Sequence, residues 1–177
     1  MEKEPNIICL DKKVVPVGKE KKAVFTGWSL SYVHHHRHLN GGGLVAETAT
    51  VAKTVYVGPN AMICGFTKVS GNVKICDCAT VAGYAKVSGN VKICDRATVA
   101  GYAIISDYVH IFGSASVYGH ATVSGYAKVS DTVNIFGEAI VTDEIELYGH
   151  VNVCSDTKLT GKNRKNSSAR YVCGCPH

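Results

Sequence analysis

One aliphatic residue returns every six positions between Val45 and Leu159, and this period limits the possible folds more than any other feature of the chain. Twenty residues make up the series without a slip: Val45, Val51, Val57, Ile63, Val69, Ile75, Val81, Val87, Ile93, Val99, Ile105, Ile111, Val117, Val123, Val129, Ile135, Val141, Leu147, Val153 and Leu159. A small or β-branched residue stands two positions before most of them, and Gly or Asp stands two positions after. The period predicts a repeating structural unit of six residues.

Each unit reads as a very short strand followed by a bend. In the triplet Ala85-Lys86-Val87 the outer residues share one side of a strand and the lysine points to the other, because side chains alternate along a strand. The following Ser88-Gly89-Asn90 has turn chemistry, since Gly accepts positive φ and Asn can bond back to the backbone. The chain is therefore expected to bend every six residues.

A second period of 18 residues lies on top of the first. The segment Lys68–Asp77 recurs unchanged as Lys86–Asp95, and Ala79–Ala85 recurs as Ala97–Ala103. Three bends then complete one coil, and internal repetition of this kind indicates a solenoid whose coils pair as parallel strands. We expect an all-β fold of about six to seven triangular coils with 18 residues each.

The V-x-G-x-A-x register resembles the left-handed parallel β-helix of the bacterial hexapeptide-repeat transferase superfamily. It is most similar to a loop-free, phage-associated branch grouped with acyltransferases, in which such units follow a Gly-rich entry like Gly41-Gly42-Gly43. The resemblance covers about two thirds of the chain, and the left-handed sense comes from it alone, because parallel crossovers are otherwise right-handed. It also implies a homotrimer that associates through its side walls.

The chain divides into three parts by composition. Residues 1–40 carry short extended patterns and are expected to form an N-terminal β cap, since the open end of a solenoid needs covering. Residues 41–161 form the β-helix, and residues 162–177 read as a basic tail. Neither a signal peptide nor a membrane span is evident, and eight cysteines in such a chain favour a reducing cytoplasm, with the thiols as packing residues.

Three rows of outward-facing residues follow from the 18-residue period. The first row is small and polar: Thr80, Thr98, Ser116, Asn134 and Asn152. The second is mostly basic: Lys74, Lys92, His110, Lys128 and Glu146. The third carries exposed aliphatics and is the expected subunit contact: Lys68, Lys86, Ile104, Thr122, Ile140 and Lys158.

Aromatic residues at the same spacing are expected to stack along the edges of the prism. Phe66, Tyr84, Tyr102 and His120 form one such series, and Tyr108 with Tyr126 forms another. Structural shielding of the turns is one interpretation, and a platform for a nucleotide or another flat anion is the other. The candidate binding residues are Phe66, Tyr84, Tyr102, His120, Lys68, Lys86, Lys74 and Lys92.

Two clusters have residue types that bind metals. His34, His36 and His38 lie before the glycines, and Cys173, Cys175 and His177 end the chain. A packed or solvated segment is the favoured interpretation of each cluster, because consecutive strand residues cannot all face one ion and two Cys with one His make an incomplete zinc site. No metal or other cofactor is therefore assigned.

A non-catalytic binding protein is the function we predict from the sequence. Its rigid prism would present its walls to a protein partner, or hold a small anionic ligand between subunits, as a phage-type inhibitor or sequestering protein. Nucleic acid is a weaker candidate partner, because the net charge is a modest +5. The alternative is an acyltransferase using acetyl-CoA, for which His120 is the candidate general base.

Overall fold

The structure is a computed structural model that describes the backbone of residues 8–9, 20–26 and 29–173 and the side chains of residues 34–162. All regular structure in these ranges is β, without a helix. Strands two residues long alternate with turns, and equivalent strands lie 18 residues apart. The predicted all-β parallel solenoid with 18-residue coils is confirmed.

The strands of the solenoid form three walls. The threonine wall contains β4 (Leu44–Ala46), β7 (Met62–Ile63), β10 (Thr80–Val81), β13 (Thr98–Val99), β16 (Ser116–Val117) and β19 (Asn134–Ile135). The isoleucine wall contains β5 (Thr50–Val51), β8 (Lys68–Val69), β11 (Lys86–Val87), β14 (Ile104–Ile105), β17 (Thr122–Val123), β20 (Ile140–Val141) and β22 (Lys158–Leu159). The basic wall contains β6 (Tyr56–Val57), β9 (Lys74–Ile75), β12 (Lys92–Ile93), β15 (His110–Ile111) and β18 (Lys128–Val129).

The core is the column of aliphatic side chains inside the triangle. In each strand the aliphatic member of the hexad is buried, and the small residue two positions earlier is buried with it, as at Ala85 and Val87. Each coil bonds to the next through the backbone: the Lys86 amide donates to the Ala103 carbonyl at 2.8 Å, and Ser88 to Ile105 at 2.9 Å. The uninterrupted hexads therefore produce one continuous core without an inserted loop between residues 44 and 145.

From Gly65 onward the corners use Gly, Asp or, once, Ser155 at the position that has positive φ. At Gly83, φ is +73°, and a Cβ there would lie 2.9 Å from the Gly101 amide nitrogen of the next coil. Asp95 adopts φ +60°, and its Oδ2 accepts the Gly113 amide of the next coil at 2.8 Å. The carboxylate thus offsets the conformational cost of its side chain by binding the coil above.

The N-terminal segment pairs with the first threonine-wall strand of its own chain. Strands β1 (Ile8–Cys9), β2 (Glu20–Thr26) and β3 (Ser29–Arg37) pair antiparallel in that order, and β3 pairs antiparallel with β4. His38 Nε2 also lies 3.0 Å from the Val55 carbonyl oxygen. The open edge of the first threonine-wall strand is therefore occupied, as a cap requires.

The C-terminal end departs from the two-residue strands. Strand β21 (Ile145–Cys154) runs straight through one corner and pairs with both β18 and β19. Strand β23 (Asn163–Cys173) then pairs parallel to β21, with a register shift between Gly149 and Val151. The backbone of most of the predicted basic tail is therefore strand, and the domain boundaries at 40 and 161 stay a prediction.

Candidate functional site

The edge between the basic wall and the threonine wall carries Cys76 and Cys94, and we call this edge the thiol corner. A groove runs along it. The groove has a volume of about 580 Å³ and is open to solvent. It is lined by Tyr56, Cys76, Asp77, Lys92, Cys94, Asp95, His110, Ile111 and Phe112. The corner position that follows the core aliphatic holds a thiol in two successive coils and a phenyl ring, Phe112, in the next. The change in side-chain size leaves the recess below that ring.

Two thiols and a carboxylate meet in this groove. The Sγ atoms of Cys76 and Cys94 and a carboxylate oxygen of Asp77 all lie within 4.8 Å of one another. Burial, then a hydrogen bond with Cys76, raise the pKa of the Cys94 thiol from 9.0 to about 12. Cys94 is therefore a protonated thiol near neutral pH.

The basic wall supplies the positive charge beside the thiols. Lys74, Lys92 and His110 are register partners in successive coils, and all three are exposed. Burial, then the charges of Lys92 and Lys128, lower the pKa of His110 below 6.5, so its imidazole is neutral at neutral pH. Lys128 pairs with Glu146 at 3.2 Å, whereas among the described residues no acidic side chain pairs with Lys74 or Lys92.

The aspartates beside the groove have a structural role as well. Asp77 Oδ2 accepts the Asp95 amide at 3.3 Å, and Asp95 in turn accepts the Gly113 amide. Asp131 repeats this contact with Gly149 at 2.7 Å higher on the same corner. One carboxylate oxygen of each aspartate is thus committed to the backbone, and the other remains for solvent or a ligand.

A second recess continues the groove toward the cap. It measures about 410 Å³ and is lined by Asn40, Thr54, Tyr56, Asn72, Val73, Lys74 and Cys76. Tyr56 and Cys76 line both recesses, so the two are neighbours. Asn40 bonds to Thr54 and Val57, and so the entry segment fixes the lower end of this surface.

The predicted aromatic stack is present on a different edge, between the threonine and isoleucine walls, which we call the aromatic corner. The ring centroids of Phe66, Tyr84, Tyr102 and His120 are 5.3, 5.0 and 4.8 Å apart in that order, with interplanar angles of 12° or less. Tyr108 stacks on Tyr126 at 5.0 Å on the third edge. Rings at this spacing cover each other's faces and leave a flat exterior.

The eight predicted binding residues do not form one site. Phe66, Tyr84, Tyr102 and His120 lie on the aromatic corner beside Lys68 and Lys86 of the isoleucine wall, whereas Lys74 and Lys92 lie on the basic wall. The structure brings Lys92 together with Cys76, Asp77 and Cys94, none of which the sequence singled out as a binding residue. The one available signal was the 18-residue spacing of the two cysteines, which predicts their proximity.

His120 does not have the surroundings of a general base. Its imidazole is exposed and stacks on Tyr102, and the ion pairs among the described side chains do not include it. A general base normally needs an orienting partner as well as access to substrate. The acyltransferase alternative with His120 as general base stays a prediction.

The predicted metal-ligand clusters have different outcomes. His38 is buried against the Val55 carbonyl, and His34 and His36 share one side of β3, where His36 is exposed. Within residues 34–162 these histidines do not gather as a set of three ligands, whereas Cys76, Asp77 and Cys94 do. Cys173, Cys175 and His177 lie outside the side chains that the structure describes.

The cysteines divide into free and bonded groups. Cys76, Cys78 and Cys94 are free thiols, as the sequence predicted. Cys64 and Cys154 are disulfide-bonded, so the prediction that Cys64 is a reduced packing residue is wrong. The two residues occupy one corner row five coils apart, too far to be bonded to each other.

In comparisons with known proteins, no family model and no curated protein matches this chain. The described part of the chain holds no helix long and apolar enough to span a membrane.

Proposed function

We propose that this chain is a non-catalytic binding protein that holds a small anionic ligand against the basic wall, in the groove of the thiol corner. The observation that carries the proposal is that Lys74 and Lys92 line the two neighbouring recesses of this groove, and lie in register without an acidic partner among the described residues. The two ammonium groups, in adjacent coils, repel each other. An anion bound between them attracts both and so offsets their repulsion.

A flat ligand such as a nucleotide fits this groove because aromatic side chains lie at both of its ends. Tyr56 lies at the lower end and Phe112 at the upper end, so aromatic surface flanks the lysines on both sides. Ligand sites commonly combine apolar walls with a few charged groups that fix orientation. The neutral His110 adds a ring nitrogen that can donate a hydrogen bond to an anion without a further charge.

We also propose that the solenoid is left-handed, of the hexapeptide-repeat type, and associates as a homotrimer through the isoleucine wall. Ile104 is 41% and Ile140 is 37% exposed on that wall, where Thr122 separates them. A threefold ring needs heterologous contacts, so this wall would meet a different surface of the neighbouring protomer. The groove lies on the corner opposite this wall in the same protomer, so the isoleucine wall does not cover it, and the assembly would act as a sequestering protein of phage type.

The proposed compartment is the cytoplasm. The free thiols of Cys76, Cys78 and Cys94 suit a reducing environment, although the bonds at Cys64 and Cys154 argue for an oxidising one. Thiol counting on protein isolated without reductant distinguishes a reducing from an oxidising compartment. A cytoplasmic protein would expose reactive thiols at Cys64 and Cys154 after denaturation.

Calorimetric titration with ADP and with pyrophosphate tests the binding function. Lys92→Ala should weaken binding by about tenfold or more, because a hydrogen-bonded charge pair is lost. Lys86→Ala is the matched control, since Lys86 is equally a mid-strand lysine but lies on the isoleucine wall. Absence of binding to the wild-type protein, or equal losses in both variants, would sink the proposal.

Native mass spectrometry tests the trimer separately. Ile104→Asp should convert trimer to monomer, because it places a charge in the proposed apolar contact. Ile104→Val, which keeps an apolar side chain at the same position, should leave the trimer intact. A wild-type monomer, or a trimer that survives Ile104→Asp, would refute this contact.

A further inference from the structure

We propose that Cys76, Asp77 and Cys94 bind one thiophilic divalent metal ion, of which Zn²⁺ is the biological example. The three donor atoms belong to the same corner in two successive coils and lie within 4.8 Å of one another. Two thiolates and one carboxylate are a ligand set that zinc accepts, and a water completes its tetrahedron. The inference does not depend on anion binding by the lysines.

The separation of the donors fits a metal after a small rotation of the side chains. Zinc binds sulfur at about 2.3 Å, so two thiolates of a tetrahedral site lie about 3.8 Å apart. The observed limit of 4.8 Å is only slightly wider. Asp77 uses Oδ2 for the Asp95 amide, and its other oxygen is available as the third ligand.

The structure has both cysteines as free thiols. They follow paired strands in successive coils, so their Cα atoms should lie about 4.8 Å apart, which is within the range of a disulfide as well as of a shared metal ion. The metal site therefore requires the reduced pair, and a Cys76–Cys94 disulfide is the competing state.

Access and the neighbouring carboxylates suit a cation between the two thiols. Asp77 and Asp95 line the groove with the thiols, Lys92 lines it from the basic wall, Lys74 lines the adjoining recess, and His110 is uncharged at neutral pH. Two thiolates formed here would add further negative charge, which a dication neutralises. The open groove gives the ion a path from solvent.

Titration of the chelator-treated full-length protein with Co²⁺ under argon, without thiol reductant, tests the proposal. Tetrahedral cobalt bound to thiolates gives charge-transfer and intense ligand-field absorption that free cobalt lacks. The wild-type protein should take up one equivalent with both signals, and excess Zn²⁺ should remove them. Cys76→Ser and Cys94→Ser should each abolish the charge-transfer band or reduce it to half its intensity.

Two matched controls keep the test specific. Cys78→Ser removes the third free thiol, which lies in the same turn outside the ligand set, and should bind cobalt as the wild type does. Asp77→Asn should weaken binding by about tenfold or more, because a charged ligand is lost. Asp131→Asn alters the same structural position two coils beyond Asp95 and should have no effect.

Three outcomes overturn the metal site. They are a wild-type protein without a thiolate-to-cobalt band, a band that survives the double change of Cys76 and Cys94 to Ser, and a Cys76–Cys94 disulfide in peptide maps of freshly purified protein. Circular dichroism of each variant checks that the solenoid is intact. Because ADP binding is measured on zinc-free protein, failure of the metal site and failure of the anion site are distinguishable.

Discussion

The aromatic corner and the thiol corner run up the same coils, yet one is flat and the other is concave. At the aromatic corner each ring rests on the ring below, with centroids 4.8 to 5.3 Å apart. At the thiol corner Cys76 and Cys94 are followed by the much larger Phe112, and a groove of about 580 Å³ lies beneath it. In a solenoid, continuity of side-chain size closes an edge, and a change in size opens a site.

The largest difference between the two corners should be their tolerance of a side chain at the positive-φ position. Gly83→Val at the aromatic corner should cost about 3 kcal/mol or more of unfolding free energy, because a β-branched residue is strained there and its Cβ meets the next coil. Gly83→Asp should cost less, since Asp can bond the Gly101 amide as Asp95 bonds that of Gly113. Urea unfolding measures both, and equal losses would contradict this explanation of the aspartates.

Truncating one side chain at each corner should also have different effects on the stability of the protein. Tyr102→Ala breaks two ring contacts, with Tyr84 and His120, and should cost about 2 kcal/mol. Cys94→Ala removes only a sulfur beside an open groove and should cost about 1 kcal/mol or less. Thermal unfolding of both variants provides the comparison, with Tyr102→Phe as the control that keeps the stack. A larger loss for Cys94→Ala would show that the thiols, and not the rings, support the fold.

Alkaline pH should destabilise the thiol corner specifically. The pKa of Cys94 is raised in the folded protein to about 12 from 9.0, so the unfolded chain loses this proton first. Above pH 9.0 the ionisation of this thiol in the unfolded chain lowers the free energy of unfolding, and the loss grows as pH rises toward 12. Cys94→Ala should flatten the decline in unfolding free energy over that range, whereas an unchanged slope would argue that Cys94 is not the responsible group.

The smallest expected effect is a loss of stability at acidic pH that comes from His110 on the basic wall. His110 has a lowered pKa, so the folded protein binds its proton more weakly than the unfolded chain does. Stability contributed in this way is present above pH 6.5 and declines as pH falls below it. His110→Gln should reduce that decline slightly at low salt. The difference should shrink at high salt, because exposed charges are screened, and a salt-independent difference would count against Lys92 and Lys128 as contributors.

The sequence was sufficient for the backbone of the regular coils and for side chains that repeat. Hexads place Ala85 and Val87 inside, and the 18-residue period places Tyr84 beneath Tyr102 with no further information. These predictions succeeded because each concerns equivalent positions in adjacent coils, whose separation the fold itself determines.

The groove was harder to anticipate because it depends on differences between coils. Its lower end involves Asn40 of the entry segment, and its upper end depends on Phe112, so no single period connects them. The bonded state of Cys64 and Cys154 was missed for the same reason, since hexad spacing describes relations within the solenoid alone. The straight passage of β21 through a corner is a further local departure from the repeat.

Amide chemical-shift mapping with ADP tests most directly whether the basic wall and its groove are the binding surface. The account predicts that shifts concentrate at Lys74, Lys92 and His110 and at the turn from Cys76 to Cys78, with the isoleucine wall around Lys86 unchanged. Shifts centred on the aromatic corner at Tyr84 and Tyr102, with the thiol corner silent, would contradict it.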